Sequence, residues 1–178
     1  SPLPPPESAQ VASSGLAGLP AFHARFELAS RFESFSVQGM KSGTMGIYAR
    51  VARIGLAYSA LEYLEKCLNI KGYPDILAPD LVQALRKPEL RGLVENAKLG
   101  LRSHAVKKEL DLVLESKSKE NVRPMIMLFR NSLFHGEFTP TGWKIRASQK
   151  TLKLLDSLAQ VTLRKADETF TNWFEANC

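Results

Sequence analysis

Cysteine is close to absent from this chain: Cys67 and Cys178 are the only two in 178 residues. Two thiols cannot build a disulfide framework, and their surroundings fit no zinc spacing, which points to a reducing, cytoplasmic setting. Long apolar runs are missing as well. No stretch approaches the roughly 18 consecutive apolar residues of a membrane span, so no membrane is expected as a partner. Histidine occurs three times, and no His, Cys, Asp or Glu cluster has the spacing of metal ligands, so neither a metal nor another cofactor is expected. The first ten residues, SPLPPPESAQ, lack a basic stretch and an apolar stretch and do not read as a secretory signal. What is present is an ordinary globular mixture, 44% hydrophobic and 24% charged. It is long enough to bury a core without covalent staples. The charge leans one way: 24 Lys and Arg against 18 Asp and Glu leave a net +6, which admits RNA or another polyanion as a partner.

Residues 1–20 hold five prolines (Pro2, Pro4, Pro5, Pro6 and Pro20). Such a segment favours extended conformations and reads as a flexible tail, leaving 21–178 as one helical domain. A first helix is predicted over about 22–37. The turn Gln38-Gly39-Met40-Lys41-Ser42-Gly43 resembles a phosphate loop only superficially, because its lysine precedes the second glycine and no strand leads into it. From Thr44 to Asn69, apolar residues recur at Ile47, Val51, Ile54, Tyr58, Leu61 and Leu64 or Leu68, in steps of three and four that specify a helix. Gly72 and Pro74 end it. A short helix is predicted over 79–86, then one striped by Leu90, Leu93, Val94, Ala97 and Leu101, then one striped by Val106, Leu110, Val113 and Leu114. Asn121–Gly136 is a further helical piece, with Pro124 tolerated in its first turn. Phe138–Arg146 reads as a turn or a small hairpin. The last helix, 148–176, carries Leu152, Leu155, Ala159, Leu163, Ala166, Phe170 and Phe174 on one face. The expected fold class is all-α, an up-and-down bundle of about five to seven helices.

The helix over 121–136 has two apolar sides. On a wheel of about 100° per residue, Val122, Met125, Ile126, Phe129 and Leu133 gather in a stripe about 100° wide, enough to face a bundle core. Met127 and Phe134 point roughly the other way. Arg130 flanks this second patch on one side, with Asn131 and His135 on the other, four residues apart and hence stacked. A helix apolar on two sides is usually sandwiched, so the second side must meet another element of the chain or a second copy. Met127 and Phe134 are the candidate dimer contacts. Gly136 stops the helix, which places His135 in the last turn, where the dipole favours a cation. Arg130 is a permanent forked cation suited to phosphate oxygens. Together these are parts for phosphodiester cleavage without a metal: one group deprotonates a ribose 2′-OH, another protonates the leaving 5′-oxygen, and a cation stabilises the phosphorane. One histidine cannot serve both proton transfers, but a two-fold axis would supply a second. The bland alternative is a surface arginine and a C-terminal cap.

The string Leu128-Phe129-Arg130-Asn131-Ser132-Leu133-Phe134-His135-Gly136 resembles the signature of the HEPN superfamily, an Arg followed by a polar residue and, after a spacer, a His near a helix end. The order of a long amphipathic helix, a variable middle, the motif helix and a long terminal helix is similar too. The resemblance implies a helical domain that dimerises through its motif helices. Many members are metal-independent endoribonucleases acting as toxins, antiphage effectors or RNA-processing modules; others have lost activity and bind RNA or assemble. It would make Arg130 the phosphate-binding cation, His135 the acid/base and Asn131 the orienting residue. It also implies a homodimer, RNA as partner and, in a defence setting, an antitoxin or other regulatory protein. One departure stands out: some toxin members carry a tyrosine two residues after the histidine, and here that position is Glu137.

Other residues are weaker candidates. Lys144, Arg146, Lys150 and Lys153 follow the motif and could grip RNA phosphates, giving affinity with little sequence reading. Trp143, with Phe138, either stacks on unpaired bases or packs on the bundle. Arg86, Lys87, Arg91, Lys98, Arg102, Lys107 and Lys108 read as a solvated basic face. Either Glu62 or Glu65 could turn inward to pair with Arg130, or both could face solvent. His23 reads as packed near Phe22 and Phe26, and His104 as solvated.

Overall fold

The computed structural model describes residues 7–177 apart from 73, 100–103, 116–119, 137 and 144. The side chains of 7–16, 89, 97–99, 104–106, 109 and 113 also lie outside the description. Among the described residues the chain is all-α, with seven helices: α1 (Glu7–Arg31), α2 (Ser42–Cys67), α3 (Pro79–Arg86), α4 (Pro88–Leu99), α5 (His104–Leu114), α6 (Arg123–Phe134) and α7 (Gln149–Asn177). No helix among them is long and apolar enough to cross a membrane.

The bundle is organised around α2, which packs against α1, α6 and α7. The predicted stripe is its deepest part: Ile47, Val51, Ile54, Tyr58, Leu61 and Leu64 are all buried. A second buried set, Ala49, Ala57 and Ala60, consists of small residues on other sides of the same helix. Ala57 meets Ala29 of α1 and Leu163 of α7. Small side chains let three helices approach one axis closely, so α2 is the sandwiched helix of this fold.

From Glu7 onward the N-terminal segment is helical where a tail is predicted over 1–20. α1 begins at Glu7 and carries Pro20 in its interior. Proline removes one backbone hydrogen bond and crowds the preceding turn, but α1 lies along α2, and this packing offsets the local penalty. Gly18 is part of the reason: a Cβ there would run into the Sγ of Cys67 at the end of α2. α1 then stops at Arg31, short of the predicted 37. His23, read as packed, is exposed, while neighbouring Phe22 is buried against Phe26 and Phe170.

Between α5 and α6 the chain pairs briefly with the segment before α3. Leu77 and Asn121 form an isolated antiparallel bridge, flanked by Ala78 N–H to Glu120 O and Val122 N–H to Ile76 O, both 2.9 Å. The stretch after α6 resolves to the turn alternative rather than a hairpin. Trp143 N–H donates to Thr139 O and Ile145 N–H to Pro140 O. This turn is held down by its aromatics: Phe138 and Trp143 meet edge-on with centroids 4.9 Å apart, and both contact Phe129 of α6. Contacts of this kind contribute roughly 0.5–1.5 kcal/mol each beyond the area they bury.

Candidate functional site on the α2–α6 seam

α6 runs antiparallel to α2, and its side chains meet those of α2 at three levels. At the start of α6, Arg123 is 2% exposed although it is a cation. Its Nη1 and Nη2 donate to the two carboxylate oxygens of Glu65, at 3.0 and 2.5 Å. Nη1 also donates to the Pro74 carbonyl at 2.5 Å, and Nε to the Tyr58 hydroxyl at 3.3 Å. Burial works against the charge on Arg123, but the hydrogen bonds to Glu65 and Tyr58 outweigh it and hold the guanidinium above its ordinary proton affinity. Burial likewise pushes the Tyr58 phenol above its ordinary value of 10.0, and the bond from Arg123 offsets only part of that. Asn121 secures the entry to the helix: its Oδ1 accepts from the backbone N–H of both Ile76 and Arg123, and its Nδ2 donates to Asp75.

Two turns further on, Arg130 is partly exposed. Its Nη2 donates to Glu62 Oε2 at 3.0 Å and its Nη1 to Asn131 Oδ1 at 2.8 Å. The guanidinium also lies over the Phe134 ring, 5.7 Å from the centroid. Its Nε is covered and has no hydrogen-bond partner among the described residues. At the last level Phe134 leans on Gly55 of α2, where a Cβ would come within 3.2 Å of the ring, yet the side chain remains 60% exposed.

α6 ends as its sequence requires. His135 caps it, donating its backbone N–H to Asn131 O at 2.9 Å, and Gly136 takes the left-handed conformation at φ +71°. Phe138 N–H then reaches back to Ser132 O. A glycine at that position is the usual way to satisfy the last carbonyls of a helix. The His135 ring is exposed to solvent just beyond Phe134.

Of the residues singled out from the sequence, Arg130 and Asn131 are hydrogen-bonded to each other, and His135 joins them through the backbone. Glu62 is the acid that pairs with Arg130; Glu65 is taken by Arg123. Phe134 has the exposure a contact with a second copy needs. Met127 does not, because it packs half-buried against the chain's own core. The second side of α6 is thus met largely by α2. Trp143 is 5% exposed and is not available to stack on bases, since its ring is committed to Phe129 and Phe138. Arg146, Lys150 and Lys153 line grooves with residues of α3 and α4, and none of the described lining of those grooves comes from the motif. Lys144 and Glu137 lie outside the described residues, as do the side chain of His104, the backbone of residues 1–6 and Cys178.

Arg123 is absent from the residues singled out by sequence, and Tyr58 figures there only as part of the apolar stripe of α2. The signal existed: Arg123 sits seven residues before Arg130 on the same side of the helix, and Tyr58, Glu62 and Glu65 are spaced by four and three on α2. A cleft of about 630 Å³ lies beside the two glutamates, between α1 and the end of α2, lined by Arg25, Ser59, Glu62, Tyr63, Glu65 and Lys66 among others. Arg25 stacks over Tyr63 at 4.1 Å. Among the described residues, no three His, Cys, Asp or Glu side chains gather as a metal site would need. No protein-family model, curated protein or solved structure matches this chain.

Proposed function

We propose that this protein is an endoribonuclease of the HEPN type that acts as a homodimer and needs no metal, with a role in defence or stress response. The observation that carries the reading is the pre-positioned cation of Arg130, held by Glu62 and Asn131 beside the exposed Phe134 and His135. A guanidinium fixed before substrate arrives costs no reorganisation when charge develops on a phosphate. In this scheme a second copy packs across Phe134 and brings its own Arg130 and His135 to the seam. His135 of one protomer removes the proton from a ribose 2′-OH, and the 2′-oxygen attacks the adjacent phosphorus. Arg130 stabilises the phosphorane. The partner's His135, protonated, gives its proton to the departing 5′-oxygen, leaving a 2′,3′-cyclic phosphate and a 5′-hydroxyl.

The test is cleavage of a labelled mixed-sequence RNA in EDTA by the native chain and by His135→Ala at equal folded concentration. Cleavage that disappears in the variant, with cyclic phosphate at the product ends, supports the mechanism. Equal cleavage in both removes His135 from it.

A second reading is favoured by one specific contact. The Glu62 carboxylate occupies part of the Arg130 fork, as it would in a non-catalytic module that dimerises and binds RNA or protein. In that case Phe134→Ala abolishes association in sedimentation experiments, while His135→Ala leaves RNA binding and association unchanged.

A further inference from the structure

Lysines 63 to 66 positions apart in the sequence meet on the other side of the bundle. Lys87, at the junction of α3 and α4, faces Lys150 and Lys153 in the first turns of α7 across a groove of about 300 Å³. The floor is aliphatic: Leu90 and Leu154 are buried, and Leu81 and Ala84 are half-buried. Next to it, sharing Lys150, is a second hollow of about 430 Å³, lined by Leu93, Ile145 and Arg146 among others. Among the described lining residues of both, every ionisable side chain is a cation and no ring is aromatic.

This combination selects among occupants. Single-stranded nucleic acid in a groove combines phosphate contacts with stacking of its bases on aromatic rings, and the described walls of this groove offer no ring for the second. A partner helix is about 10–12 Å across with its side chains, too thick to enter a hollow at the small end of the range for ligand pockets. A flexible aliphatic chain is thin enough. The α7 wall from Lys150 to Ser157 is two turns, about 10 Å, the reach of a chain of modest length. The cations at the rim call for an anionic head, which a lysine ammonium meets as a mobile point charge. We infer that the groove between α3, α4 and α7 binds a medium-chain fatty carboxylate, its tail on Leu81, Ala84, Leu90 and Leu154 and its head between Lys87 and Lys153. Nothing in this binding depends on RNA cleavage at the α2–α6 seam.

The test is a methyl NMR titration of the full chain with decanoate below its micelle concentration, alongside 1-decanol and the mixed-sequence RNA. Saturable shifts centred on Leu81, Ala84, Leu90 and Leu154 are expected with decanoate, and weaker ones with decanol. The double variant Lys87→Glu/Lys153→Glu changes two exposed residues and should raise the decanoate Kd about tenfold or more. Ala84→Phe fills the groove without altering charge and should abolish the shifts. The proposal fails if decanoate leaves these methyls unmoved, if it binds the charge-reversed or the filled variant as well as the native chain, or if decanol binds equally. It fails too if RNA, and not decanoate, moves the groove methyls.

Discussion

The two arginines of α6 make the same bond to the same helix in opposite surroundings. Arg123 and Glu65 are 2% and 5% exposed, joined by both prongs of the fork, and supported by Tyr58 and Pro74. Arg130 and Glu62 are 31% and 39% exposed, joined by one prong. The Arg130 fork is shared with Asn131, and among the described residues its Nε has no partner. The first pair is closed: every nitrogen of the Arg123 fork donates to a partner, and both Glu65 oxygens accept. The second is unfinished, and the proposed chemistry needs an unfinished cation. A buried pair holds two helices in register, whereas a half-exposed one contributes little to stability and keeps capacity for a ligand.

Breaking the closed pair should have the largest effect. Arg123→Ala or Glu65→Ala leaves a charge buried alone and should cost about 3–5 kcal/mol in chemical denaturation. The apolar double variant Glu65→Leu/Arg123→Met should recover part of that loss. It should not recover all of it, because the Pro74 carbonyl and Tyr58 hydroxyl would then lack partners, at about 1–3 kcal/mol each. A double variant as unstable as the single ones would show that the pair is net stabilising in itself.

Alkali gives the next largest effect. The folded state keeps Tyr58 neutral above the ordinary value of 10.0, so the unfolded chain ionises first. Stability attached to Tyr58 is therefore complete below pH 10 and is lost as pH rises through the folded-state value. Denaturation midpoints followed from pH 8 upward should fall more steeply for the native chain than for Tyr58→Phe. Parallel curves would mean that Tyr58 is not protected.

The open pair should separate stability from function. Arg130→Ala is expected to cost about 1 kcal/mol or less while removing RNA cleavage. A loss near that of Arg123→Ala would erase the distinction between the pairs. The smallest effect belongs to Gly55→Ala. Glycine inside a helix costs about 1 kcal/mol relative to alanine, and the tightest neighbour of the new methyl is the exposed ring of Phe134, which can swing aside, with Leu133 at ordinary contact distance. A slight rise in melting temperature is expected, with Phe134 displaced, so association should weaken even as the monomer gains.

Much of this arrangement was legible in the residue pattern, for reasons that can be assigned. Large aliphatics at helical spacing mark buried faces directly, and the α2 stripe follows from them, while Pro79 and Pro88 frame α3. Alanine is ambiguous, so the second face of α2 stayed hidden and α2 did not stand out as a helix packed on several sides. Prolines read locally as breakers; at Pro20 the packing of α1 on α2 overrides them. Arg130, Asn131 and His135 stood out because a short string carries them. Arg123 did not, since an arginine before a proline at a helix start looks like solvent, and only its juxtaposition with Glu65 gives it meaning. The meeting of Lys87 with Lys150 and Lys153 is likewise a property of the folded chain alone.

The direct bonding of α2 to α6 also bears on how the gene could change. The excursion through α3, α4 and α5 leaves the seam after Ala78 and returns to it at Glu120, and among the described residues it adds no bond to the Arg130 cluster. Lengthening that excursion costs loop entropy that grows only with the logarithm of its length, so insertions and exchanges there should be tolerated. A single residue inserted in α2 between Gly55 and Glu62 is another matter. It turns one half of the helix by about 100° against the other, so Gly55 and the two glutamates could no longer meet Phe134, Arg130 and Arg123 together.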